Sequence, residues 1–253
     1  MGGLKDALGS ASGRISGRAL GHALGRVGVF GGSFDPIHLG HLIIAEEARA
    51  ALALDRVLFV PARRSPLKPE LPRASDADRV AMIERAIVGA PAFALHRVDL
   101  DRAGPSYTVD TLARLRDELG AELEAEQGSE QGSGSGAELA LQTALWFILG
   151  ADALAQLPTW HKPQAILAAA RLAVFERPGY AVDLDGLEAV LPGARGRIDL
   201  LNAPHIGISA TDLRARVATG RPIRYQVPAA VEAYIEAHGL YRGDRIAKGF
   251  PEP

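Results

Sequence analysis

From residue 27 onward, short runs of β-branched and aromatic residues alternate with longer segments whose apolar positions recur every three or four residues. No other feature restricts the fold as much, because strand and helix in alternation make the strands parallel and lay helices over the sheet. The runs Val27–Phe30, Arg56–Val60, Phe93–Val98, Leu145–Leu149, Leu172–Phe175 and Arg197–Leu201 read as strands. The segments Leu39–Leu54, Asp76–Gly89, Thr108–Leu119 and Pro163–Ala170 read as the helices between them, with Thr211–Thr219 and Pro228–His238 closing the chain. Ser209–Asp212 offers capping oxygens to the first closing helix, and Pro228 suits the first turn of the second. The expected fold is α/β: an open, doubly wound parallel sheet with C-terminal helices.

The 253 residues, 47% of them hydrophobic, suffice for a core that buries about 75% of the unfolded surface. Lys and Arg total 28 against 30 Asp and Glu, so a net charge of −2 gives no chain-wide attraction to a polyanion. Nucleic acid is therefore disfavoured as a partner, whereas a local anion pocket is not. The lack of cysteine excludes disulfides, thiolate zinc sites, iron–sulfur clusters and a cysteine nucleophile, and it fits a cytoplasmic setting. No window approaches the roughly 18 apolar residues of a membrane span, so a soluble protein without a membrane partner is expected.

Residues 1–26 are rich in Gly, Ala, Ser and Arg, and Asp6 is their only acid. This composition is like that of an organelle transit peptide, but it reads more simply as a disordered N-terminal extension. It lacks the apolar run of a secretory signal, and Asp6 stands where a myristoylation signal needs Ser or Thr. Residues 120–137 read as a flexible acidic Gly/Ser loop inside a domain spanning residues 27–243, with 244–253 as a tail. No internal repeat is present.

The first expected strand runs into Gly31-Gly32-Ser33-Phe34-Asp35-Pro36-Ile37-His38-Leu39-Gly40-His41 and then a helix. Glycines there let backbone N–H groups approach a phosphate, and a helix start adds its positive dipole end. His38 and His41, three residues apart, share one helix face and can donate to the same anion. Gly28 and Gly31 do not make a G-x-G-x-x-G dinucleotide fingerprint, no Walker Gly-Lys-Ser/Thr follows, and no His-Glu-x-x-His zinc motif occurs. No metal ligand can be named. A helical His pair alone is more often structural or solvated than catalytic; the complete H-x-G-H string on a Gly-Gly-x-Phe-Asp-Pro turn overturns that reading.

On these residues the chain resembles the H-x-G-H nucleotidyltransferase superfamily, and further strings make it similar to the bacterial nicotinate-nucleotide adenylyltransferase family. Pro66-Leu67-Lys68 stands where that family usually has Pro-His-Lys, so the lysine is kept and a histidine is lost. Gly104-Pro105-Ser106-Tyr107-Thr108, then Phe147–Asp152 with Thr159-Trp160, then Arg177-Pro178-Gly179, follow in the family's order. Ile208-Ser209-Ala210-Thr211-Asp212-Leu213-Arg214 matches its Ile-Ser-x-Thr-x-x-Arg signature, and Tyr234-Ile235 with Gly239-Leu240-Tyr241 its terminal helix. Independently of any family, Gly31, Pro61, Gly150, Arg177 and the Ser209–Arg214 segment all follow expected strands, which places them on one rim of an open sheet.

The resemblance implies a Rossmann-like nucleotidyltransferase fold and adenylyl transfer from ATP to nicotinic acid mononucleotide, with Mg2+ accompanying ATP. His38, His41, Lys68 and Arg214 are then the catalytic set. Gly31, Gly32, Ser33, Phe34, Ser209 and Thr211 join His38, His41 and Arg214 around ATP. Tyr107, Thr108, Gly150, Asp152, Trp160 and Arg177 face the nicotinate nucleotide, with Trp160 stacking on its ring. Taken singly, Lys68 and Arg214 read equally as solvated charges, Trp160 as core, Asp152 as a helix cap and Asp110 as a first-turn acid. Nicotinamide mononucleotide, phosphopantetheine and a nucleotide-binding regulatory module without turnover are the alternatives. A homo-oligomer is compatible with the sequence.

Overall fold

Val29 and Phe30 are neighbours in the first strand, yet they belong to different cores, and this alternation sets the architecture. The computed structural model describes residues 25–64, 66, 70–127, 143–176, 181–204 and 206–242. Its strands are β1 (Arg26–Gly32), β2 (Arg56–Pro61), β3 (Phe93–Leu95), β4 (Ala144–Gly150), β5 (Arg171–Phe175) and β6 (Ile198–Leu201). They form one parallel sheet in the order β3-β2-β1-β4-β5-β6. The order reverses between β1 and β4, where Val29 stands beside Phe147 in register. Ligands of open α/β sheets bind outside the carboxyl ends of the strands at such a switch point.

The helices are α1 (Leu39–Ala51), α2 (Asp76–Ala86), α3 (Thr108–Gln127), α4 (Ala151–Leu154), α5 (Pro163–Ala169), α6 (Leu184–Val190), α7 (Ala210–Ala218) and α8 (Ala229–Ala237). On one face, Val29, Leu58, Val60 and Phe147 pack with Leu112, Leu115 and Leu119 of α3 and with Ile166 and Leu167 of α5. On the other, Phe30, Val57, Phe59 and Ile148 pack with Met82 and Ile83 of α2, Leu213 of α7, and Val231 and Ile235 of α8. A fully buried side chain of this size stabilises the fold by about 1.5–3 kcal/mol. Central strands therefore carry almost unbroken apolar runs.

The expected elements are present with shifted ends. β3 stops at Leu95, not Val98: His96 makes one last bond to Phe59 O at 2.9 Å, and the chain then turns, with Leu100 N–H donating to Arg97 O. An edge strand with one neighbour has less to hold it extended. α3 continues to Gln127, so residues 120–127 of the expected loop are helical. Their Ala, Leu, Glu and Gln are strong helix formers and outweigh Gly120. α1 ends at Ala51 rather than Leu54, and Pro228 is the residue before α8 rather than inside it. The short helices α4 and α6 were not expected. Residues 1–24, 128–137 of the expected loop and the 244–253 tail lie outside the described residues. Among those described, no helix is long and apolar enough to cross a membrane.

Candidate active site

Gly31 and Gly32 end β1 where side chains would collide: a Cβ on Gly31 would stand 3.2 Å from the Phe147 ring, and one on Gly32 3.0 Å from the Phe34 ring. The chain then turns through Phe34, held at φ 48°, into α1. Phe34 is 1% exposed, edge-on to Phe30 at 5.6 Å and to His41 at 5.0 Å, so it is a buried support for the turn. Its aromatic packing leaves Gly31, Gly32 and Ser33 on the cleft wall.

His38 precedes α1 and His41 lies in its first turn. Their rings stack with centroids 3.7 Å apart, and the His38 backbone N–H donates to His41 Nδ1 at 3.2 Å. Because Nδ1 accepts, a neutral His41 carries its proton on Nε2 and can donate from there. Gly40 makes the pairing fit, since a Cβ at that position would sit 3.1 Å from the His38 ring.

Arg79 of α2 is fully buried and was not singled out by the sequence. It donates to Ser33 O at 2.7 Å, Ala62 O at 2.9 Å and Asp76 Oδ1 at 2.6 Å, tying the loop after β1 to the loop after β2. Asp35, 4% exposed, is the second anchor. It accepts from the Arg73 and Ala74 amides at 2.8 and 3.0 Å and from the Tyr241 hydroxyl at 2.8 Å. Arg214 of α7 donates to Asp35 O at 2.7 Å and to Thr211 Oγ1 at 3.3 Å. Ser209 caps α7 by accepting from Asp212 N–H at 3.1 Å, which leaves its own O–H able to donate outward.

Across the cleft, the segment before α3 is pinned by Ser106, whose Oγ accepts from Arg63 N–H at 3.0 Å, and by Thr111, which donates to buried Asp99 at 2.7 Å. These bonds place Tyr107 and Thr108 at the rim. Tyr107 packs against His161, with ring centroids 4.6 Å apart. Trp160 stands edge-on to Phe147 at 6.1 Å, and its Nε1 is buried with no hydrogen-bond partner among the described residues. Asp152 lies in the first turn of α4, whose N-cap is Gly150, so it does not occupy the capping position.

One cleft of about 1520 Å³ joins these groups. Gly31, Gly32, Ser33, Phe34, His38 and His41 line it from the β1 side, and Ser209, Thr211 and Arg214 from α7. Tyr107, Thr108, Gly150, Asp152 and Trp160 line its other part. Lys68 and Arg177 lie outside the described residues. Sequence reasoning missed His161 and Lys162, which also line the cleft, although they directly follow Trp160.

The cytidylyltransferase-like family profile matches residues 29–216, the span that carries every one of these groups except Tyr241. A Roseiflexus sp. (strain RS-1) protein named "Probable nicotinate-nucleotide adenylyltransferase" is 49% identical over 216 residues, covering 85% of this chain and 98% of its own. The chain belongs to the nicotinate-nucleotide adenylyltransferase family. A second relative of the same name, from Thermomicrobium roseum, is 48% identical over 86% of this chain and 92% of its own. Among solved structures, the Plasmodium falciparum nicotinic acid mononucleotide adenylyltransferase complexed with APC superposes with a TM-score of 0.62. It is 17% identical, over 86% of this chain and 97% of that one, a likeness that shows the shared fold. Nucleotidyltransferase chemistry on a Rossmann-like sheet is thus what this adenylyltransferase family member is built for.

Proposed function

We propose that the chain transfers the adenylyl group of ATP to nicotinic acid mononucleotide, giving nicotinic acid adenine dinucleotide and pyrophosphate, in NAD biosynthesis. The observation that carries this reading is the single cleft in which the stacked histidines and Arg214 share walls with Tyr107, Thr108 and Trp160. Its volume exceeds the roughly 300–1,000 Å³ of a one-ligand pocket, as a site for two nucleotides requires.

In the reaction, a phosphate oxygen of the mononucleotide forms a bond to the α-phosphorus of ATP while the bond to pyrophosphate breaks. The attacking oxygen is already anionic, so no strong general base is needed, and catalysis consists of positioning and charge stabilisation. His38 and His41 donate to the ATP phosphates and to charge that builds in the transition state. Lys68 and Arg214 take the leaving pyrophosphate. Gly31, Gly32, Ser33, Ser209 and Thr211 supply amide and hydroxyl donors, with Phe34 holding the turn that presents the first three. Trp160 stacks on the pyridine ring, and Tyr107, Thr108, Gly150, Asp152 and Arg177 surround the rest of the mononucleotide.

Magnesium bound with ATP would supply neutralisation of charge on the phosphate oxygens. Among the described residues no group of three or more His, Cys, Asp or Glu is placed to share a cation. The donors around the phosphate end are imidazole, guanidinium, amide and hydroxyl groups, a set that would hold the phosphate oxygens of ATP rather than the metal itself.

Pyrophosphate release measured with ATP plus each mononucleotide tests the reading. The amides of the first turn of α3 favour a carboxylate over an amide, which would leave buried donors unpaired. The expected kcat/KM is higher for nicotinic than for nicotinamide mononucleotide by about 10² or more, and Trp160→Ala impairs both without reversing their order. Equal turnover of the two overturns the carboxylate site; ATP binding without pyrophosphate release overturns the enzyme.

A further inference from the structure

Arg214 is the cation of α7 on the cleft wall, and among the described residues it pairs with the carboxylate of Asp35. A carboxylate beside an arginine frequently takes it in a two-pronged pair, one N–H to each oxygen. That does not happen here. Arg214 Nη1 makes its short bond, 2.7 Å, to the Asp35 backbone carbonyl and stays 3.7 Å from Asp35 Oδ2, beyond hydrogen-bond range.

The carboxylate is already occupied. A carboxylate has about four lone-pair positions, two on each oxygen. Asp35 Oδ1 accepts from Ala74 N–H at 3.0 Å and from the Tyr241 hydroxyl at 2.8 Å; Oδ2 accepts from Arg73 N–H at 2.8 Å. Counting the described residues, one position remains, and it lies on Oδ2. A two-pronged pair needs one on each oxygen, so the Tyr241 hydroxyl is what closes Oδ1 to Arg214. Burial and the Asp35 charge hold that hydroxyl well above the usual phenol range, so it stays a donor throughout working conditions.

We propose that Tyr241, in the turn after α8, is a positioning residue: by occupying Asp35 Oδ1 it keeps the Arg214 guanidinium, ion-paired with Asp35 at 3.7 Å, out of a two-pronged hydrogen-bonded pair and leaves its N–H groups available to a phosphate in the cleft. The proposal rests on Arg214 as a phosphate ligand and extends that reading to a residue 27 positions further along the chain, outside the matched family profile.

The test is steady-state pyrophosphate release by the full chain, with ATP and nicotinic acid mononucleotide varied in turn, for wild type, Tyr241→Phe, Arg214→Ala and the double variant. Tyr241→Phe deletes one oxygen and leaves the ring in place, and melting curves establish that each variant is folded. Tyr241→Phe is expected to raise the ATP KM about five- to tenfold, the scale of one ordinary hydrogen bond, with the mononucleotide KM unchanged. Added to Arg214→Ala, it is expected to raise the ATP KM no further, because the two act through one contact. An unchanged ATP KM in Tyr241→Phe, or a rise that multiplies fully with that of Arg214→Ala, overturns the positioning role and leaves the Arg214 reading standing. An unchanged ATP KM in Arg214→Ala overturns the Arg214 reading, and the proposal falls with it.

Discussion

The His38 and His41 rings stack at 3.7 Å, and the backbone N–H of the first donates to Nδ1 of the second, so that the His38 amide sets the tautomer and orientation of the His41 ring. A donor held in this way before substrate arrives needs no reorganisation as charge develops. His41→Ala is therefore expected to lower kcat by about 10²–10³ with a smaller change in ATP KM, as for loss of one oxyanion donor. Initial rates over a range of ATP concentration separate the two; an unchanged kcat removes His41 from the mechanism.

Gly40→Ala separates activity from stability. Alanine favours a helix over glycine by about 1 kcal/mol, yet its Cβ would lie 3.1 Å from the His38 ring and press on the stack. We expect kcat to fall about tenfold from misplacement of the ring, while the urea midpoint holds or rises. A variant that unfolds earlier than wild type contradicts this account.

Arg79→Met keeps length and loses the donors to Ser33 O and Ala62 O. Leaving two part-buried carbonyls unsatisfied costs about 2–4 kcal/mol, while the partly exposed Asp76 adds little. Urea denaturation is expected to show a lower midpoint at constant slope. The ATP KM should rise as well, since the two loops that Arg79 joins border the cleft.

His96 gives the fold a pH-dependent component away from the cleft. Burial outweighs the attraction of Glu118 and Glu122 and holds its imidazole below the usual 6.5. Between the lowered value and 6.5 the unfolded chain binds more protons than the folded one. The stability carried by the neutral ring is thus complete above about pH 6.5 and is lost as pH falls through the lowered value. His96→Gln is expected to flatten the stability curve on that limb, read from urea midpoints at several pH values. An equally steep decline assigns the loss to other groups.

How much of this was legible beforehand depends on what a residue's neighbours in sequence disclose. Val27, Val29, Val57 and Phe59 sit in apolar runs that a doubly covered sheet explains, and Gly31, Gly150 and the Ser209–Arg214 segment, each after a strand, line one cleft together with Tyr107 and Trp160. Arg79 was opaque: it follows the same helical periodicity as Arg85, yet one is fully buried under two loops and the other is exposed. Nothing local distinguishes them, because the partners that bury Arg79 lie 17 and 46 residues away. Asp35 was visible in its motif, but its three donors come from distant segments. The length of β3 was misread because pairing with a single neighbour, not composition, decides where an edge strand ends.

The bond from Arg214 to the Asp35 carbonyl spans 179 residues, and the one from Tyr241 to the same aspartate spans 206. A chain emerging from the ribosome displays the histidine pair early, while β4, β5 and β6 are still unmade. The phosphate end is finished only when the turn after α8 docks on a loop synthesised 206 residues earlier. Contacts of such separation form late and slowly, so a nascent chain holds no working site that could consume ATP before the sheet is whole.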